Sequence, residues 1–205
     1  MSNYLKSLNK LPKNDLIDKV LLEAKELKTP IISDEGIMFL IQVIKIAKVK
    51  KVLEIGSAIG YSAIMMALNT NAEITTIEKD ELSYDRAIKN VSNGNLSSRI
   101  KLIKADALEV ELEEMFDLIF IDAAKGQYLK FLERFKPNLN DGGIVICDNL
   151  LFHGLVSDKE QIESKRLKGL VNKIDDFNHK LIEHPDFDSF IYEIGDGLSM
   201  SIKKG

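Results

Sequence analysis

Three oxygen-bearing side chains and one amine could do chemistry together in this sequence. Asp122 stands in the run IDAAKGQY, and the pair Asp148-Asn149 follows the apolar run GIVIC. Two carboxylates and an amide carbonyl make a hard, partly filled donor set that suits Mg²⁺, with Mn²⁺ or Ca²⁺ as further fits. A lone aspartate after a strand is ordinarily a turn or helix cap. The tandem Asp-Asn, on the same rim as a second aspartate, favours a metal. Lys125 follows Asp122 on the same loop. Lysines are mostly solvated, but a neighbouring metal ion disfavours the ammonium form, and the neutral amine can then act as a general base. Cys147, one step before Asp148, is expected to point into the core.

A second constellation lies upstream, in LEIGSAIGYS followed by TTIE. Gly56 and Gly60 allow a tight turn and close approach of a ligand to the main chain. Their G-x-x-x-G spacing differs from the G-x-G-x-x-G of dinucleotide binders. A pyrophosphate wants an exposed helix N-terminus; a ligand without phosphate needs only close approach and a few polar groups. Ser62, at a helix start, can offer its hydroxyl to a carboxylate there. Glu78, at the end of the next strand, can accept from both hydroxyls of a ribose. Asp106, after the third strand, can accept from an adenine amino group or cap a following helix. Each glycine alone fits an ordinary βα turn, and Glu78 alone fits a solvated helix-start carboxylate. In this order on consecutive strands they favour an adenosyl ligand, with NAD the weaker option.

Short apolar runs at 51–55, 73–77, 100–104, 117–121 and 143–147 predict five strands. Amphipathic stretches at 61–68, 81–91 and 127–135 predict intervening helices. Near-continuous Ile, Val and Leu with this alternation implies a parallel sheet, on whose carboxyl rim all these residues converge. Two further helices are expected at 14–27 and 34–47, and a long one at 160–181 interrupted at Gly169. The tail 187–202, folded at Gly195-Asp196-Gly197, predicts an antiparallel hairpin closing the sheet.

The chain has 205 residues, 45% hydrophobic and 29% charged, with a net charge of -4, as expected for one ordinary globular domain spanning 1–205. Bulk charge does not mark it as a polyanion binder, although a local basic patch remains compatible. One cysteine excludes an internal disulfide. No apolar run approaches the ~20 residues of a membrane span, and no signal peptide is evident, so the cytoplasm is the expected compartment.

The segments LEIGSAIGYSA, TIEKD, ADA, DLIFIDAAKGQY and CDN resemble the metal-dependent O-methyltransferase family that includes catechol and caffeoyl-CoA methyltransferases. The likeness spans roughly residues 30–205. It implies an α/β fold: a Rossmann-like seven-stranded sheet, mostly parallel, with an antiparallel C-terminal hairpin and helices on both faces. Residues 1–47 would be N-terminal helices covering the active site. The resemblance implies S-adenosyl-L-methionine as cofactor, contacted by Ile32, Glu54, Gly56, Ser57, Ser62, Glu78, Asp106, Ala107 and Asp122. It implies Asp122, Asp148 and Asn149 as metal ligands, Lys125 as the catalytic lysine, and a homodimer.

Within that family, DNLLFHGLVSDKE, RLKGLVNKIDDFN and HPDFDSFIYEIGDGLSMSIKK are most similar to bacterial tRNA 5-hydroxyuridine methyltransferases. This implies 5-hydroxyuridine at the wobble position, in the tRNA anticodon loop, as acceptor. The caffeoyl-CoA type carries an asparagine where His153 stands, and the extra acidic residue of catechol enzymes has no evident match. Phe152 and His153 could stack on a splayed base, or be respectively core and loop. Lys159, Lys165, Arg166, Lys168 and Lys173 outnumber Glu160 and Glu163 locally, and Lys6, Lys10 and Lys13 add charge near the N-terminus. Such runs equally suit a solvated helix face. A small-molecule acceptor and a non-catalytic cofactor-binding module are the other expectations; the complete oxygen set and Lys125 count against the module.

Overall fold

Alternate residues of the central strands face opposite sides, and each side is covered by its own helices. A computed structural model describes residues 3–10 and 14–205. In chain order its elements are α1 (Asn3–Leu8), α2 (Asp15–Leu27), α3 (Asp34–Ile46), β1 (Lys51–Ile55), α4 (Tyr61–Asn69), β2 (Glu73–Glu78), α5 (Glu81–Asn93), β3 (Ile100–Lys104), β4 (Phe116–Ile121), α6 (Tyr128–Phe135), β5 (Leu139–Cys147), α7 (Lys165–Ile182), β6 (Phe187–Tyr192) and β7 (Leu198–Lys203). Strand order is β3-β2-β1-β4-β5-β7-β6. The first five strands are mutually parallel, and β7 runs antiparallel to both β5 and β6. This is the expected Rossmann-like methyltransferase sheet.

Val52, Ile74 and Phe120 join α2, α3 and α4 in one buried cluster. Leu53, Ile55 and Ile121 join α6 and α7 in the other. Burial on both faces is why these strands read as unbroken apolar runs. Side-chain caps start the helices where the chain turns: Asn14 accepts from Leu16, Ser33 from Gly36 and Asp80 from Ser83.

Two elements differ from expectation. α7 runs unbroken through Gly169, which meets open space, and begins at Lys165 behind the Ser164 cap rather than at 160. Burial of Val171, Ile174, Phe177 and Leu181 outweighs the ~1 kcal/mol that a helical glycine costs. β5 starts at Leu139, not 143, because the chain stays paired with β4 across a register shift between Phe116 and Leu118.

Candidate active site

At the carboxyl ends of the parallel strands the backbone ladder continues one residue past each strand, which aligns the tips. Gly56 N–H donates to the Ile77 carbonyl at 2.9 Å, Asp122 to Ile55 at 3.0 Å, and Asp148 to Ile121 at 3.2 Å. A cavity of about 280 Å³ opens over this rim. Of the expected site residues, Ile32, Gly56, Ser57, Ser62, Glu78, Asp106, Ala107, Asp122, Lys125 and Asn149 line it. Glu54, Asp148, Phe152 and His153 do not.

The glycine loop is fixed by backbone geometry. Gly56 has φ +95°, and a Cβ there would strike the Asp122 carbonyl oxygen, so β1 and β4 can close together only over a glycine. Ala58, left-handed at φ 45°, donates its N–H to Glu78 Oε2 at 2.9 Å, while Asp80 N–H donates to Oε1 at 2.8 Å. Each oxygen of Glu78 thus holds one backbone donor and keeps a lone pair for another. Ser62, expected to offer its hydroxyl to a bound carboxylate, instead donates it to Glu54 Oε1 at 2.5 Å. Thr76 donates to Glu54 Oε2 at 2.6 Å. Glu54 lies wholly buried beneath the cavity, and burial pushes its carboxyl up to about 7. The buried Ser57 hydroxyl finds no protein partner. A glycine cradle with unfilled polar capacity fits an adenosyl cofactor. Asp106 Oδ1 accepts from Leu108 N–H at 3.0 Å, bracing a turn; no helix follows β3.

Across the cavity, Asp122, Asp148 and Asn149 do converge. Asn149 Nδ2 lies 3.5 Å from Asp122 Oδ1, and Asn149 N–H donates to Asp148 Oδ1 at 2.6 Å. Asn149 is held left-handed at φ 64°. Burial raises the carboxyl of Asp148 to about 7, with the Asp122 charge adding to the rise and Lys125 opposing it. Asp122 is likewise raised by burial and drawn back by Lys125. A buried carboxylate and a half-buried one whose charge opposes its ionisation, with an amide alongside, form a donor set that fits a hard divalent cation. Among the described residues no cluster of three or more His, Cys, Asp or Glu suits a metal. Cys147 is fully buried, and its thiol is pushed up to about 12. Lys125 Nζ sits 5.8 Å from the centre of the Phe152 ring, at a distance suited to cation–π attraction.

The loop after β5 brings Phe152 and His153 beside the cavity mouth, both in left-handed backbone at φ 48° and 57°. Their rings lie 5.6 Å apart. The turn of the β6–β7 hairpin holds this loop: Leu150 and Leu151 donate to the Gly197 and Asp196 carbonyls, and His153 N–H to Asp196 Oδ1 at 2.5 Å. Sequence reasoning missed Thr76 and Asp196. Thr76 stands opposite Glu54 in the β1–β2 register, which a strand alignment could have shown. Asp196 carried no signal beyond its place in a tight turn. Lys13 lies outside the described residues, as does the Lys6 side chain.

Sheet order, glycine loop and a ligand cavity on the carboxyl rim define a Rossmann-like methyltransferase. The O-methyltransferase family model matches residues 12–204. A caffeoyl-CoA O-methyltransferase of Populus kitakamiensis is 31% identical over 180 residues, covering 82% of this chain and 75% of that protein. A Staphylococcus aureus crystal structure, provisionally described as a caffeoyl-CoA O-methyltransferase, superposes with TM-score 0.91 at 36% identity, covering 98% and 97% of the two chains. An O-methyltransferase of Bacillus cereus, crystallised with SAH, gives TM-score 0.81 at 27% identity over 95% and 93%. The chain belongs to the O-methyltransferase family, and is an S-adenosylmethionine-dependent O-methyltransferase.

Proposed function

We propose that this enzyme is divalent-metal-dependent and methylates 5-hydroxyuridine at the wobble position of tRNA to 5-methoxyuridine. The observation that carries the metal requirement is the pair of half-buried Asp122 and buried Asp148, both carboxyls raised by burial, with Asn149 beside them. When bound, S-adenosylmethionine supplies an electrophilic methyl group and Mg²⁺ supplies Lewis acidity to adjacent oxygens. Asp122, Asp148 and Asn149 would hold the ion. The 5-hydroxyl and 4-oxo group of the base are neighbours, as the two oxygens of a catechol are, so one site geometry serves both acceptors. Lys125, on the Asp122 loop and half-buried, takes the acceptor proton. Glu78 and the Gly56 loop orient the cofactor, and fixing both reactants in line contributes much of the rate. Residues Pro30–Ile32, between α2 and α3, line the cavity and act as its cover. We infer one methyltransferase domain spanning the chain and acting as a homodimer in the cytoplasm.

Surface charge beside the mouth supports the tRNA acceptor. Lys165, Arg166, Lys168 and Lys173 are exposed on α7. The Lys173 stem passes Gly126 of the Lys125 loop, so the basic helix adjoins the catalytic lysine. Lys159 is paired with Asp175 and adds little. A small-molecule acceptor is the second reading, favoured by relatives named for caffeoyl-CoA and flavonoid substrates. Competition assays separate the two. Purified enzyme with S-adenosylmethionine, Mg²⁺ and hydroxyuridine-bearing tRNA should form 5-methoxyuridine, lose turnover with chelator, and weaken steeply with salt through counterion release. Caffeoyl-CoA methylation with inert tRNA would overturn the tRNA acceptor. Full activity in chelator, or in Asp122→Ala, would overturn the metal.

A further inference from the structure

Tyr128 opens α6 and is almost fully buried, 1% exposed. Its hydroxyl donates to the main-chain carbonyl of Asp148 at 2.9 Å. Its ring packs edge-on against Phe177 of α7, centroids 5.4 Å apart at 73°, so it cannot swing away without opening the core. The acceptor carbonyl belongs to the peptide unit joining Asp148 to Asn149. The N–H of that same unit donates to the Asp148 carboxylate at 2.6 Å. One peptide plane therefore has its oxygen held by Tyr128 and its hydrogen held by Asp148. Rotating it would release the Asp148 carboxylate and turn the Asn149 side chain, whose backbone already sits at φ 64° where only a defined plane is tolerated. Tyr128 stands where the loop that leaves β4 with Asp122 and Lys125 enters α6.

We infer that Tyr128 is a positioning residue for the divalent cation: its hydroxyl ties the β4 loop to the Asp148–Asn149 peptide and so sets the spacing of all three oxygen ligands. This rests on the metal requirement proposed above. Groups that orient ligands from behind commonly control affinity more than stability. The alternative is that the hydroxyl merely satisfies its own burial.

Tyr128→Phe keeps the ring and deletes the bond. Calorimetric titration of the purified protein with Mn²⁺ alone should show Kd raised roughly 10-fold against wild type, while Kd for S-adenosylhomocysteine alone stays within twofold. Phe177→Leu loosens the ring but keeps the hydroxyl, and should raise the Mn²⁺ Kd far less. Unchanged Mn²⁺ affinity in Tyr128→Phe overturns the assignment and leaves the metal requirement standing. An equal loss in Phe177→Leu also overturns it, since packing alone would then be the cause. Absence of Mn²⁺ binding by wild type overturns the assignment together with the metal requirement, so the two failures are distinguishable.

Discussion

At the tips of β1 and β2 each carboxylate has its own donors, whereas at the tips of β4 and β5 the carboxylates face one another. Glu54 takes two hydroxyls, from Ser62 and Thr76, and Glu78 takes two backbone N–H groups. Asp122 and Asp148 share one corner in which burial raises both carboxyls, the Asp122 charge adds to the rise of Asp148, and Lys125 is the opposing charge. The carboxylates beside the glycine loop thus have donors before a ligand arrives, while the Ser57 hydroxyl and a lone pair on each Glu78 oxygen stay free for one. On the other side Lys125 is the cation set against two aspartates, which is the basis of the proposed metal site. Preorganised groups cost little reorganisation at the moment of reaction, and the proposed cation would offset the cost of ionising both aspartates. One rim uses both strategies on neighbouring strands.

Substitutions on either side should break this comparison in different ways. The largest effect is expected for Asp148→Ala: turnover falls on the order of 10³-fold or more, with cofactor affinity nearly unchanged by calorimetry. An equal loss of cofactor binding would erase the distinction between the two halves. Next comes Lys125→Met, which should cut kcat by roughly 10²-fold while the metal and cofactor dissociation constants stay put. Glu78→Gln acts on the other half. It should weaken cofactor binding by roughly 10-fold, and saturating cofactor should restore most of kcat.

The smallest effect is a pH signature. Glu54 has its folded carboxyl raised to about 7 from an ordinary 4.5. The folded state therefore binds that proton more tightly than the unfolded chain, and stability from this group is lost as pH rises from about 4.5 through about 7. Glu54→Gln should remove that slope. Relative to wild type, the unfolding free energy of the variant should be higher at pH 8 than at pH 5, by roughly 3 kcal/mol at most, read from denaturant titrations at the two pH values. A constant offset across pH would show that Glu54 ionises freely.

How much of this was legible beforehand follows the same divide. β1 was readable to the residue because burial on both faces writes itself as a near-continuous apolar run, and the edge strand β3 because Ile and Leu are bounded by exposed lysines. The convergence of Asp122, Asp148 and Asn149 was readable too, since parallel strands share a rim. What a single sequence could not show was which partner each polar group takes. Ser62 reads as a hydroxyl for a ligand, but it turns to Glu54, a buried carboxylate on the strand just before its own helix. Gly169 reads as a break, although packing downstream carries the helix past it. Register and side-chain direction decide such matters, and neither is a local property.

The hairpin turn at Gly195–Gly197 has a temporal consequence. It touches Ser33 and Glu35 at the start of α3 on one side and Leu151 on the other. Synthesis from the N-terminus completes the glycine loop well before this turn exists. A chain that has yet to add β6 and β7 should therefore hold cofactor while the loop after β5 is still open to protease, and digestion of staged translation products would show whether the two halves mature in that sequence.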